Sequence, residues 1–435
     1  MSAPLGLVAS VGGKLPPLWS VAPFALTLLG IAILPLVAHH WWESNRNRAV
    51  FAWGIAIPTA LWWLLAGYGF TGLSHAWLEY VSFILLLGSL YVAAGGIFVQ
   101  ASLRGSPGTN TALCLFGGVL ANFVGTTGAS MLLIRPFMKA NAWRPMPSRM
   151  IGVVFFIFLV SNIGGCLTPL GDPPLFLGFL KGVPFQWTLT HLWREWVIAF
   201  VLLLSIFYLW DSALRRKYKT TLAPQEGERL PFRIEGRRNV LLLLAIVGAV
   251  LGKGLLHWPF GVQEGIMAAV AVLSMATTPR AVRTKNRFTF GPIVEVAILF
   301  SGIFTVMVPA LAILEAKGGE MGLSQPWHYF WATGSLSAFL DNAPTYLVFA
   351  QTGAAQVGAA SIRDLVTEGP GLLAAVSIGA VFMGAMSYIG NGPNFMVKAI
   401  AEEGGIVMPS FFGYMKYSCL ILLPLFALVT LLCFL

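Results

Sequence analysis

Gly171-Asp172-Pro173-Pro174-Leu175-Phe176 and Gly390-Asn391-Gly392-Pro393-Asn394-Phe395 are near copies of each other, 219 residues apart. Each interrupts an apolar run long enough to cross a membrane. A carboxylate or an amide therefore stands where prolines remove backbone donors and break a helix. In hydrocarbon such a break persists only where it faces a cavity or an ion. Two such breaks in matching positions point to a transporter assembled from two related halves.

Composition sets the same frame. Of 435 residues, 57% are hydrophobic and only 10% charged, with a mean hydropathy of +0.78. Soluble domains carry about 25% charged residues, so the chain reads as an all-α polytopic membrane protein. The net charge of +10 does not indicate nucleic acid, because Lys and Arg gather in loops, as the positive-inside rule expects. The longest polar stretch, about Arg215 to Arg238, is too short to bury a core of its own. The four cysteines, Cys114, Cys166, Cys419 and Cys433, lie in apolar segments and read as buried, inert thiols. The six histidines form no metal-ligand pattern, and no phosphate-binding G-x-x-x-x-G-K-[ST] loop is present. The first apolar run, from Leu18, is long enough to remain as a helix rather than be removed as a signal.

Each half gives the same list of segments. In residues 1–213 there are spans near 18–42, 49–70 and 77–99, a split region at 111–139, a broken segment at 150–180 and a span at 188–213. In residues 239–435 the list repeats as 239–256, 259–278, 292–316, 327–352, 370–403 and 409–435. A basic linker, 214–238, joins the halves, and its eight Lys and Arg place it on the cytoplasmic side. The split regions carry a second match: Leu120-Ala121-Asn122 against Leu340-Asp341-Asn342, at an offset of 220. The arms 111–121 and 129–139 are each about 16 Å long as helix, half of a hydrocarbon core of about 30 Å. A polar tip, Asn122 to Ser130, separates them. Re-entrant hairpins would give five crossings per half and inverted repeats. Broken crossings would give parallel repeats. Spacing and charge allow both.

Asp341 is the sharpest candidate for chemistry. An ionised aspartate at bilayer depth costs about 2.5–3.5 kcal/mol, so a cation, a proton or a cavity must offset it; capping a half-helix is the plainer role. Asp172, before two prolines, is the second, with a surface turn as its plainer role. Asn122, Asn162, Asn342, Asn391 and Asn394 are amides at the same breaks, joined by the hydroxyls of Thr126 and Thr345. Sodium ligands are expected among Asp341, Asp172, Asn122 and Asn391. Lys398, four residues before Glu402, is either a snorkelling helical ion-pair partner or a coupling counter-charge to Asp341. Arg135 and Glu295 lie about a turn from segment ends and read as interfacial.

Ser161-Asn162-Ile163-Gly164-Gly165 with Gly171-Asp172-Pro173-Pro174, Ser337 to Thr345, and Gly390-Asn391-Gly392-Pro393-Asn394 together resemble the ion transporter superfamily. Its members include NhaD-type sodium/proton antiporters, arsenite permeases, citrate and dicarboxylate carriers and the pink-eyed dilution protein. The resemblance runs from about residue 80 to 435. It implies two inverted repeats, each of about five crossings plus a re-entrant hairpin, with broken transmembrane helices, homodimers and an elevator-like movement. Two departures stand out. Ala121 occupies the place where sodium/proton members tend to offer an acid, and Ile163 follows Ser161-Asn162 where dicarboxylate carriers have Thr.

The expectation is a secondary active transporter in the cell membrane with no cofactor beyond its transported or coupling ions, sodium and protons. Sodium/proton antiport is the favoured case, through competition for Asp341 and Asp172. A citrate, dicarboxylate or arsenite-like oxyanion carrier is the alternative. An intramembrane aspartyl protease would need the two carboxyls close enough to share a proton, and a channel or purely structural role would need no coupling site.

Overall fold

A computed structural model describes residues 15–100, 103–218, 233–256 and 258–435. The apolar runs form helices, as their length demands. α1 is Ala22–Val37, α2 Asn45–Leu65 and α3 Thr71–Gly95. α4 is Pro107–Ala140. α5 (Met146–Leu159) and α6 (Pro173–Leu180) are the two parts of the first broken segment, and α7 is Phe185–Lys217. In the second half α8 is Arg238–Leu256, α9 Val262–Thr277 and α10 Gly291–Lys317. α11 (Pro326–Ser337) and α12 (Asn342–Gln356) are the second split region, α13 (Pro370–Met383) and α14 (Gly392–Glu403) the second broken segment, and α15 is Phe411–Cys433. Nine helices among the described residues are long and apolar enough to cross a bilayer.

One of those nine does not cross. α4 has 34 residues and would span about 50 Å if straight. Yet the Gly105 N–H donates to the Ala140 carbonyl at 2.8 Å. Asn110 and Asn141 exchange side-chain amide bonds of 2.9 Å each. The two ends meet, so α4 is a re-entrant hairpin. Its fold is at Gly125, with φ 78° and ψ 154°, a region only glycine occupies without strain. The expected polar tip from Asn122 to Ser130 is thus corrected to a single residue, with helix running up to it on both sides. The second split region is also a hairpin. Its tip is residues 338–341, and near its base Gly353 lies against the Tyr329 ring.

The hairpins enter from opposite ends of α10. α10 is 27 residues, about 40 Å. Just before its start, Asn286 bonds the carbonyls of Gly95 and Ile97, close to β1 (Phe98–Gln100), which packs against α4. Just after its end, Gly318 and Gly319 lie against Thr352 and Ala355 at the base of the second hairpin. The two tips therefore meet midway along α10.

β1 pairs antiparallel with β2 (Arg233–Glu235), Val99 opposite Ile234. This ribbon ties the approach to the first hairpin to the exit of the linker. Of that linker, residues 219–232 lie outside the described residues. Its first residues are not linker at all: α7 continues through Lys217, and Arg215, Arg216 and Lys217 form its last turn, where positive charge complements the helix dipole. Elsewhere boundaries shift by a few residues, the largest being α3, which starts at Thr71 rather than 77.

Burial sorts the helices into shells. α5 is buried nearly throughout, with Phe155, Phe156 and Phe158 fully enclosed, as is most of α10. α1, α2, α7, α8 and α15 turn leucines outward, among them Leu26, Leu61, Leu209, Leu241 and Leu420. An outer apolar surface of this extent suits lipid, not water. Cys114 and Cys166 are buried, whereas Cys419 and Cys433 are half-buried.

Candidate functional site

The site lies where four interruptions converge: the tips of both hairpins and the gaps of both broken segments. In the gaps, prolines at the first helical positions force a fresh helix start. Asp172 is the N-cap of α6, with φ −141° and ψ 145°. Asn391 is the N-cap of α14, with φ −154° and ψ 139°. The two matching residues thus hold the same extended backbone at the same helix position.

They also touch. Asp172 is 2% exposed. Its Oδ1 accepts from Asn391 Nδ2 at 2.9 Å and from Thr126 Oγ1 at 2.9 Å. Its Oδ2 accepts from Asn342 Nδ2 at 2.6 Å. One donor comes from each of the first tip, the second tip and the second gap. Among the described residues no Lys or Arg pairs with this carboxylate.

The amides extend the network. Asn391 Nδ2 also reaches the Ser161 carbonyl at 3.1 Å and Asn162 Oδ1 at 3.2 Å. Asn162 donates to Asn394 Oδ1 at 2.7 Å and to the Ile157 carbonyl at 2.9 Å. Asn394 in turn donates to the carbonyls of Gly384 and Ser387, both at 2.8 Å. These amides occupy the donors and acceptors that unwound backbone leaves free.

One acceptor is left over. Asn342 is fully buried, yet among the described residues its Oδ1 has no hydrogen-bond partner. A buried polar atom without a partner is uncommon and calls for an ion, a water or a role. This oxygen belongs to the amide that bonds Asp172, and its chain neighbour is Asp341.

Other expected residues have different tasks. Asn122 staples the first tip to the first gap: Nδ2 donates to the Gly164 carbonyl at 2.7 Å, and Oδ1 accepts from the Leu167 N–H at 2.8 Å. Thr345 donates to the Asp341 carbonyl at 2.9 Å. Asp341 accepts from the Ala343 N–H at 3.0 Å, which is the capping role. Its side chain is only partly buried and faces a cavity. Lys398 bonds Glu402 at 2.7 Å, the helical pair, and among the described residues no bond joins it to Asp341.

That cavity is about 1230 Å³. Its floor includes Gly125, Thr126, Asp172, Asp341 and Asn391, and its wall rises past Arg135, Lys398 and Glu402 to Arg287 and Glu403. The Arg287–Glu403 pair is solvent-exposed, so the cavity opens at the end where α10 begins. Arg135 and Glu295 are corrected here: both line this cavity rather than a lipid interface, and Glu295 pairs with Arg48 at 3.2 Å.

Sequence reading missed a second buried cluster. Arg144 and Asp211, 5% and 1% exposed, form an ion pair at 2.5 Å. Asn110 donates to Asp211 at 3.0 Å, and Arg144 reaches Asn141 at 3.2 Å. This cluster clamps the base of the first hairpin to α7. Nothing in the sequence links positions so far apart; only the adjacency of α4 and α7 does.

Chemically, the floor offers oxygen: a carboxylate held by neutral donors, a second carboxylate facing the cavity, and an unpaired amide oxygen. That is a set for a hard cation or a proton. Among the described residues no group of three or more His, Cys, Asp or Glu could hold a metal ion. The two carboxyls take different donors: Thr126, Asn342 and Asn391 on Asp172, and the Ala343 N–H on Asp341.

A family profile described as putative citrate transport matches residues 13–434. Two curated relatives carry the name uncharacterized transporter, one from Mycobacterium bovis and one from Mycobacterium tuberculosis. Each is 23% identical over 324 residues, covering 71% of this chain and 73% of the relative.

Proposed function

The chain belongs to this family of putative citrate transporters, and from that premise we propose that it is a cation-coupled secondary transporter of a small carboxylate anion of the citrate type. The observation that carries the proposal is the unpaired, buried Oδ1 of Asn342 on the amide that bonds Asp172. A cation there gains a carboxylate and an amide oxygen and neutralises a charge that only neutral donors now hold. The cavity above is larger than the roughly 300–1,000 Å³ of ordinary ligand pockets and accommodates a tricarboxylate with its water.

The matching N-caps and the two opposed hairpins support two inverted repeats, 1–213 and 239–435, of five crossings and one hairpin each. In that arrangement the linker 214–238 is cytoplasmic in a plasma-membrane protein, and the cavity is open to the cytoplasm. Alternating access then requires the hairpin tips and gaps to move relative to the outer helices.

A second reading is sodium/proton exchange without an organic substrate. It is favoured by Asp341, whose carboxylate faces the cavity with a single backbone partner, so that cation and proton can compete for it from one solvent path.

Purified protein in proteoliposomes separates the two. Radiolabelled citrate uptake that depends on an imposed sodium or proton gradient supports the carrier. Dequenching of an internal pH dye by sodium, with no citrate uptake, supports exchange instead. Absence of both overturns the cation-site reading.

A further inference from the structure

We infer that Arg135 anchors the transported anion, taking one carboxylate of a di- or tricarboxylate in a bidentate grip while the other end of the substrate faces the Asp172–Asp341 floor. The inference rests on the carrier reading above and names the residue that selects its substrate.

The charges on the cavity wall are the first reason. Arg48 is paired with Glu295 at 3.2 Å, Arg287 with Glu403 at 3.1 Å and Lys398 with Glu402 at 2.7 Å. Arg135 lines the same cavity, and among the described residues its guanidinium makes no hydrogen bond or ion pair; its Nη1 is buried and unpartnered. A guanidinium carries five donors in a planar fork that fits a carboxylate on two parallel bonds. Leaving that fork unmet inside a membrane protein is costly. A snorkelling arginine would reach for lipid headgroups, but this one faces an internal cavity.

Geometry gives the class of anion. Arg135 lies on the second arm of α4, nine residues beyond Thr126, which bonds Asp172. Nine residues are about 13–14 Å of helix. The charges nearest its guanidinium are Glu403 and Arg287 at the mouth rather than Asp172 and Asp341, so the fork stands on the wall between the mouth and the floor. An anion gripped at the fork that also faces the floor therefore needs two carboxylates on one carbon chain. A monocarboxylate offers only one.

The test uses full-length protein in proteoliposomes, with Arg135→Gln and Arg135→Lys beside the wild type and with citrate, succinate and acetate as substrates. A lost charged hydrogen-bond pair is worth tenfold or more, so Arg135→Gln should raise the half-saturating citrate concentration at least about tenfold. The half-saturating cation concentration, measured at saturating citrate, should stay within about twofold. Arg135→Lys should fall between, since a point charge keeps attraction but not the fork. Acetate should be a poor substrate throughout. If Arg135→Gln does not purify as a single species, Arg135→Lys decides: a raised citrate KM supports the anchor and an unchanged one overturns it. Wild-type citrate uptake together with an unchanged KM in Arg135→Gln overturns the anchor and leaves the carrier standing. Wild-type failure to take up any of the three anions in any cation gradient overturns the carrier reading and the anchor with it.

Discussion

Asn391 donates a 2.9 Å hydrogen bond to the carboxylate of Asp172, joining the two residues that begin α14 and α6 from matching breaks 219 positions apart. Each is the other's counterpart, and they meet face to face. With Thr126 and Asn342 completing the shell, one carboxylate ties all four interruptions together. Displacing either hairpin tip from the gaps breaks at least one of these bonds.

Asp341→Asn should abolish cation-coupled uptake while leaving expression and melting temperature close to wild type. Among the described residues the capping bond to Ala343 is the only side-chain bond of Asp341, and asparagine caps equally well. Uptake and fluorescence-detected melting in detergent check this. Normal uptake by the variant would remove Asp341 from the site.

Asp172→Asn should damage both fold and transport. Three donors converge on this carboxylate, and the new amide turns an N–H toward at least one of them. A buried donor left without an acceptor costs about 1–3 kcal/mol. The melting temperature should drop measurably and uptake should vanish; unchanged melting would show that the network bears no structural load.

Gly125→Ala should open the first hairpin. At φ 78° and ψ 154° a Cβ is strained by about 1–3 kcal/mol. Relief requires unfolding the tip that carries Thr126. Lower melting temperature with weaker cation dependence of uptake is the expected pair of effects. A variant as stable as wild type would mean that the turn relaxes without consequence.

Arg144→Met should be among the most destabilising single changes in the chain, by about 3–5 kcal/mol, because it leaves Asp211 buried and unpaired. Arg144→Met with Asp211→Leu should recover most of that loss, since a packed apolar pair of similar volume is often neutral. Detergent melting of the two single variants and the double variant reads out the cycle. Additive losses would contradict the clamp.

Much of this was legible in the chain. Apolar run lengths set the helices, and prolines after Asp172 and Asn391 set where two of them break. The resemblance favoured hairpins over crossings, which spacing alone left open, because a half-length arm fits either geometry until its two ends are seen to meet. Arg135 read as interfacial because one turn from a segment end is where lipid headgroups lie. In the folded protein that same depth is the wall of a cavity. Asn122 read as a ligand because its type and place matched Asn342, yet a neighbouring backbone takes both ends of its amide.

By itself, then, the sequence determined what local chemistry can determine: hydrophobic length, broken backbone, and the residue types placed at each break. Which of those residues share a carboxylate, which amide oxygen stays unpaired and which arginine on the cavity wall lacks a partner were decided only by tertiary structure. The partners come from segments as many as 232 positions apart, and hydrogen bonds act over about 3 Å, a range that no pattern along the chain encodes.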